Sequence, residues 1–83
     1  MTKHELRTWP PYWEHIYDGI KTFEFRKDDR NFQVGDLVYL REWDPRREVY
    51  TGRLITKRIG YLVHGGKFGI PKGYCIFSLE DNS

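Results

Sequence analysis

Eighty-three residues hold one domain, 1–83, at the small end of what a single apolar core supports without disulfides or metals. Twenty-one Leu, Ile, Val and Phe residues, with three Trp and six Tyr, exclude a disordered chain, and no apolar run approaches the roughly 20 residues that span a bilayer. The formal charge of +2 is too small to announce a nucleic-acid partner, yet Arg46 to Lys72 carries seven basic residues against Glu48 alone. One surface is therefore expected to be distinctly positive, the alternative being ordinary solubilising charge on an exposed strand pair.

Cys75 is the lone cysteine, which excludes an internal disulfide, and its apolar neighbours suggest a buried, reduced thiol. "MTKHELRTWPP" contains no apolar signal region, so a cytoplasmic protein with no membrane partner is expected.

"HELRTWP" reads as a short strand stopped by Pro10 and Pro11, which suit the first positions of a helix. His4 falls at a strand end or surface. In "PYWEHIYDG" the apolar Tyr12 or Trp13, Ile16 and Tyr17 recur at helical spacing, and Gly19 supplies the left-handed residue that ends helices. "KTFEFR" alternates as a strand from about Lys21, with Phe23 and Phe25 on the face expected to meet the core and Thr22, Glu24 and Arg26 on the other. "KDDRNFQVGD" is an irregular loop anchored by Phe32 and Val34 and closed by a "VGD" turn.

"LVYLREW" is a strand with Leu37, Tyr39, Arg41 and Trp43 on one face and Val38, Leu40 and Glu42 on the other; alternation does not say which faces inward. Asp44-Pro45 opens a turn region and Thr51-Gly52 closes it. "RLITKRIGYLV" is a longer strand in which Ile55, Ile59, Tyr61 and Val63 share a parity and Gly60 marks a bulge or bend. A glycine-rich loop, "HGGKFGIPKG", leads to the last buried strand, "YCIFSL". Parallel crossovers need a dozen or more residues each, so five strands and one helix predict a mainly β (α+β) fold: a small, mostly antiparallel barrel or curled sheet, its helix plugging an end or covering an edge.

His4, His15, His64 and Cys75 lack the close pair spacings of zinc sites, so no metal is expected, and nothing implies a cofactor. "HGGKFG" lacks both the order and the following helix of a phosphate-cradling loop. The charges of "GIKTFEFR" are more specific. Glu24 and Arg26 read either as an ordinary surface ion pair or as part of a cleft in which a carboxylate stands between two cations, Lys21 and Arg26. In the second case Arg26 offers a planar fork to phosphate or base edges, and Glu24 accepts from an exocyclic amine such as that of cytosine.

"GIKTFEFR" also resembles, position by position, the GxKxxExR signature of the ASCH (activating signal cointegrator homology) domain of the PUA-like superfamily, through Gly19, Lys21, Glu24 and Arg26. The order of helix, motif strand, "VGD" turn and further strands is similar over nearly the whole chain, most of all to very small uncharacterised bacterial and phage members. The resemblance implies a PUA-like barrel of five to six strands with one or two flanking helices, a cleft at Lys21, Glu24 and Arg26 beside the helix, Gly19 as its entry turn, and RNA or a modified nucleotide as partner. Some small members resemble amidohydrolases acting on acetylated cytidine nucleosides. Lys21 matches their lysine, whereas Glu24 stands where they carry a threonine. Under that reading Lys21 and Glu24 are the catalytic candidates.

Other residues join the site on physical grounds. Arg30 follows the motif strand, and Arg41 with Trp43 would bring a cation and a stacking surface together. Trp9 and Tyr12 stand where the first strand meets the helix, and aromatic faces beside cations are how single-stranded bases are held. For each tryptophan the favoured alternative is a core or edge-packing aromatic, in a domain that needs its large side chains.

Overall fold

A computed structural model describes residues 2–82. In chain order these form β1 (Lys3–Thr8), α1 (Pro10–Tyr17), β2 (Phe23–Lys27), β3 (Leu37–Asp44), β4 (Val49–His64) and β5 (Tyr74–Asp81). The strands make one sheet in the order β1-β3-β4-β5-β2. β1 runs parallel to β3, with Leu6 opposite Leu40 and Thr8 opposite Glu42, and the other three pairings are antiparallel. The expected mainly β architecture is what forms.

The sheet curls until its free edges, β1 and β2, face each other without pairing as backbone. Two arginines of the β2 side bridge that seam: Arg26 Nη2 donates to the Arg7 carbonyl at 2.9 Å and Arg30 Nη1 to the Glu5 carbonyl at 2.5 Å. Carbonyls of an exposed edge are thereby satisfied, which blunts the edge as a template for another strand.

The inner face carries Leu6, Val38, Leu40, Ile59, Cys75, Phe77 and Leu79, closed by Phe32 and by Trp13 and Ile16 of α1, all buried. Trp13 Nε1 donates to the Leu40 carbonyl at 2.9 Å, so the helix is fixed to β3 by a polar bond as well as by area. Tyr12 and Tyr17 stay exposed. α1 ends in a Schellman turn: Gly19, at φ +80°, donates to Ile16 O and Ile20 to His15 O. Gly19 is thus the left-handed terminator expected of it.

Several expectations are corrected. Phe23 and Phe25 point outward, 46% and 52% exposed, while Glu24 points inward at 4%. Alternation fixes that the two sets oppose each other, and here mutual neutralisation of charges lets the polar set take the inside. Val34 is exposed, leaving Phe32 as the anchor of its loop. Thr51-Gly52 lies within β4, where Gly52 at φ +97° forms a bulge opposite Glu42. A second register shift between Ile59 and Leu62 confirms the irregularity at Gly60, but it reverses the parity, so Tyr61 is 70% exposed. His4 is buried and hydrogen-bonded to Asp36 at 2.8 Å.

The single positive surface does not form either. Arg46 and Arg47 sit in the turn before β4 and Lys67 and Lys72 in the loop after it, so a 16-residue strand separates them. Between these, Arg53 is engaged by Glu14 and Glu42, and Lys57 by Asp81.

Candidate functional site

Where the sheet fails to close, between β1, the start of α1 and β2, lies an open cleft of about 570 Å³. Its floor is built by the motif. Lys21 leaves the Schellman turn anchored by its own N–H on His15 O at 3.0 Å, and its Nζ lies 2.7 Å from Glu24 Oε1. Arg26, two residues along the same strand and so on the same face, donates from Nε to Glu24 Oε2 at 2.7 Å. Glu24 is buried with each carboxylate oxygen on a different cation, which is what makes a buried charge tolerable. Arg26 Nη2 also reaches Thr8 Oγ1 at 3.5 Å, tying motif to β1.

The walls are Trp9, Tyr12, Phe23 and Phe25, each about half exposed. Four half-exposed aromatic side chains around a fixed Lys–Glu–Arg set, with the Lys21 ammonium 5.2 Å from the Phe23 ring centroid, suit a planar polar ligand: rings for stacking, guanidinium and ammonium for acceptors, remaining carboxylate lone pairs for a donor.

Of the residues expected here, Lys21, Glu24, Arg26, Trp9 and Tyr12 come together. Arg30 does not: it spans the seam to Glu5 and borders a separate cavity of about 140 Å³. Arg41 and Trp43 lie on the outer face of β3, Arg41 above the Tyr50 ring at 3.8 Å and 3.3 Å from Glu5, Trp43 edge-on to Tyr50 at 4.9 Å. Sequence reasoning missed Arg7, Thr8, Phe23 and Phe25 as cleft residues. The alternation of "HELRT" was a usable signal for which way Arg7 and Thr8 point, but not for their meeting β2, because the two strands are at opposite ends of the sheet order.

A family model described as a domain of unknown function (DUF3850) matches residues 3–79. The chain belongs to that family. This DUF3850 domain is also 41% identical over 56 residues to an uncharacterized 12.9 kDa protein in the GpA 3′ region of Escherichia phage P2, a match that takes in 68% of this chain and 50% of the phage protein. The chain thus spans about half the length of the curated relative it matches.

Elsewhere in this DUF3850 domain, Glu42 is buried and taken up by Thr51 Oγ1 at 2.6 Å and by Arg53 at 2.9 Å on each oxygen. The Gly52 bulge puts Thr51 and Arg53 on the same side of it. Arg53 hydrogen bonding, against burial, holds the Glu42 carboxyl below the usual carboxylate range. Arg53 also bonds Glu14 at 2.7 Å and covers Trp13 at 4.3 Å, so the cluster fastens α1 to the sheet. Burial, then the charges of Asp28 and Asp29, push the Cys75 thiol up to about 11, as an inert thiol requires. Among the described residues no three His, Cys, Asp or Glu gather as metal ligands, and no helix is long and apolar enough to cross a membrane.

Proposed function

We propose that this domain is a binding module that takes a nucleobase-bearing ligand, RNA or a modified nucleotide, into the cleft between β1 and β2, in the manner its ASCH-like GxKxxExR residues imply. The observation that carries the reading is the preformed Lys21–Glu24–Arg26 set lining one cleft with four half-exposed aromatic side chains. A cleft of about 570 Å³ has the size of small-ligand pockets, and favours one nucleotide unit over a flat strand platform. In this account the aromatic walls stack on the base. Glu24 accepts from an exocyclic amine, and Lys21 and Arg26 donate to carbonyl or phosphate oxygens.

A second reading, an amidohydrolase acting on an acetylated cytidine-type nucleoside, draws on the 2.7 Å Lys21–Glu24 contact and on Thr8, a buried residue at the cleft. It ranks second because both Glu24 oxygens are held by cations, the arrangement of an orienting group rather than of one exchanging protons with water.

Trp9 lines the cleft, so tryptophan fluorescence reports occupancy. Saturable quenching by ribonucleotides or single-stranded RNA, weakened tenfold or more in Lys21→Ala and Glu24→Gln, is expected. No response at low salt to either kind of ligand contradicts the proposal. Release of acetate from an acetylated cytidine, abolished in Lys21→Ala, would promote the second reading over the first.

A further inference from the structure

Three cations line the cleft, and they are not equivalent. Lys21 and Arg26 share Glu24, whereas Arg7 has no carboxylate within ion-pair distance among the described residues. Its side chain is nevertheless held. The guanidinium lies 3.9 Å from the centroid of the Trp43 ring, within the range of a cation–π contact, and Nε donates to Tyr50 Oη at 3.1 Å. The support is itself supported: Tyr50 meets Trp43 edge-on at 4.9 Å and lies under Arg41 at 3.8 Å, and Arg41 is 3.3 Å from Glu5.

The contacts that hold Arg7 use its face and its Nε, and leave Nη1 and Nη2 without a protein hydrogen bond among the described residues. An exposed arginine with its rotamers fixed and its terminal nitrogens open is a preorganised fork for an oxyanion.

We propose that Arg7 is a phosphate-binding residue at the mouth of the cleft, oriented by Trp43 and Tyr50, so that the ligand is a phosphorylated nucleoside unit and not a bare nucleoside. This rests on the nucleobase reading above and deepens it. It also gives Arg41 and Trp43 a role outside the cleft: they hold Arg7 and do not touch the base. The phosphate belongs either to a free mononucleotide or to a phosphodiester of a single strand, and the chemistry at Arg7 is the same for both.

The test is calorimetric titration of the protein with the four ribonucleosides, their 5′-monophosphates and single-stranded hexaribonucleotides. At least one monophosphate is expected to bind tenfold or more tightly than its nucleoside. Arg7→Ala should remove that advantage, Arg7→Lys should restore only part of it, and Trp43→Leu should reduce it with the fold intact by circular dichroism. A hexamer no tighter than the monophosphate identifies a mononucleotide site. A tighter hexamer, with an affinity falling with salt at about −0.7 per phosphate contact, identifies a strand. Nucleosides binding as tightly as nucleotides, or a phosphate advantage that survives Arg7→Ala, overturns the assignment while leaving the base cleft standing. Failure of all three ligand classes removes the cleft reading and this inference with it.

Discussion

Gly60 and Gly65 both lie where the chain crowds itself, and only the structure separates them. A Cβ on Gly65 would collide with the Pro71 carbonyl oxygen and lie 2.8 Å from Tyr74 O, backbone atoms fixed by the Gly65 N–H to Tyr74 O bond of 2.7 Å. The nearest atoms to a Cβ on Gly60 are instead those of the Glu80 side chain, from its carboxylate to Cγ, an exposed and flexible group that can swing aside. Gly65→Ala should therefore destabilise by about 2 kcal/mol or more, and Gly60→Ala by less than about 1 kcal/mol, as overpacking against rigid and yielding neighbours differs. Urea denaturation of the two variants decides this, and equal losses would contradict it. Glu24 shows the same limit on reading single residues. Its membership of a charged strand face is plain from alternation, but its burial depends on Lys21 and Arg26 reaching its two oxygens.

Elements were legible to the extent that their signals are local. Pro10-Pro11 and Gly19 bracket α1 because a fixed φ and a positive φ act on the residues that carry them. The Thr51-Gly52 signal is as strong as a turn signal, yet β4 runs through it, since pairing with β3 on both sides of the bulge outweighs the local preference of one glycine. The loop before β3 hides a further device. Asp36, buried at the head of β3, accepts from His4, Gln33 N–H at 3.0 Å and Thr2 N–H at 3.3 Å. Burial works against its charge, but the His4 bond and the two backbone bonds outweigh burial and hold the carboxyl below the usual carboxylate range.

A lowered folded-state pKa means that the unfolded chain binds the proton first as pH falls. The stability Asp36 contributes is therefore complete above the ordinary carboxylate range and is lost as pH drops through its lower folded value. Glu42 acts with the same sign. Thermal unfolding followed from pH 7 down to pH 2 should show a falling Tm, with Asp36→Asn less stable at pH 7 and converging on the wild type in acid. A constant gap between the two curves would contradict this.

At the scale of the molecule, the sheet order places β1 and β2, joined by α1, at opposite edges and then curls them together. The cleft is the seam left between them, bridged by Arg26 and Arg30 and lined from both sides. Half of this site was readable, because the motif is contiguous from Gly19 to Arg26. The other half, Arg7 and Thr8, depends on a meeting of strands that no local pattern encodes, and Arg41 with Trp43 proved to stand behind Arg7 on the outer face. The most direct test of the account is an amide chemical-shift map of the labelled protein titrated with ribonucleotides. Saturable shifts concentrated at residues 7–13 and 19–26 are predicted; shifts confined to the outer face of β4 and β5, or none at all, would contradict the cleft as the binding site.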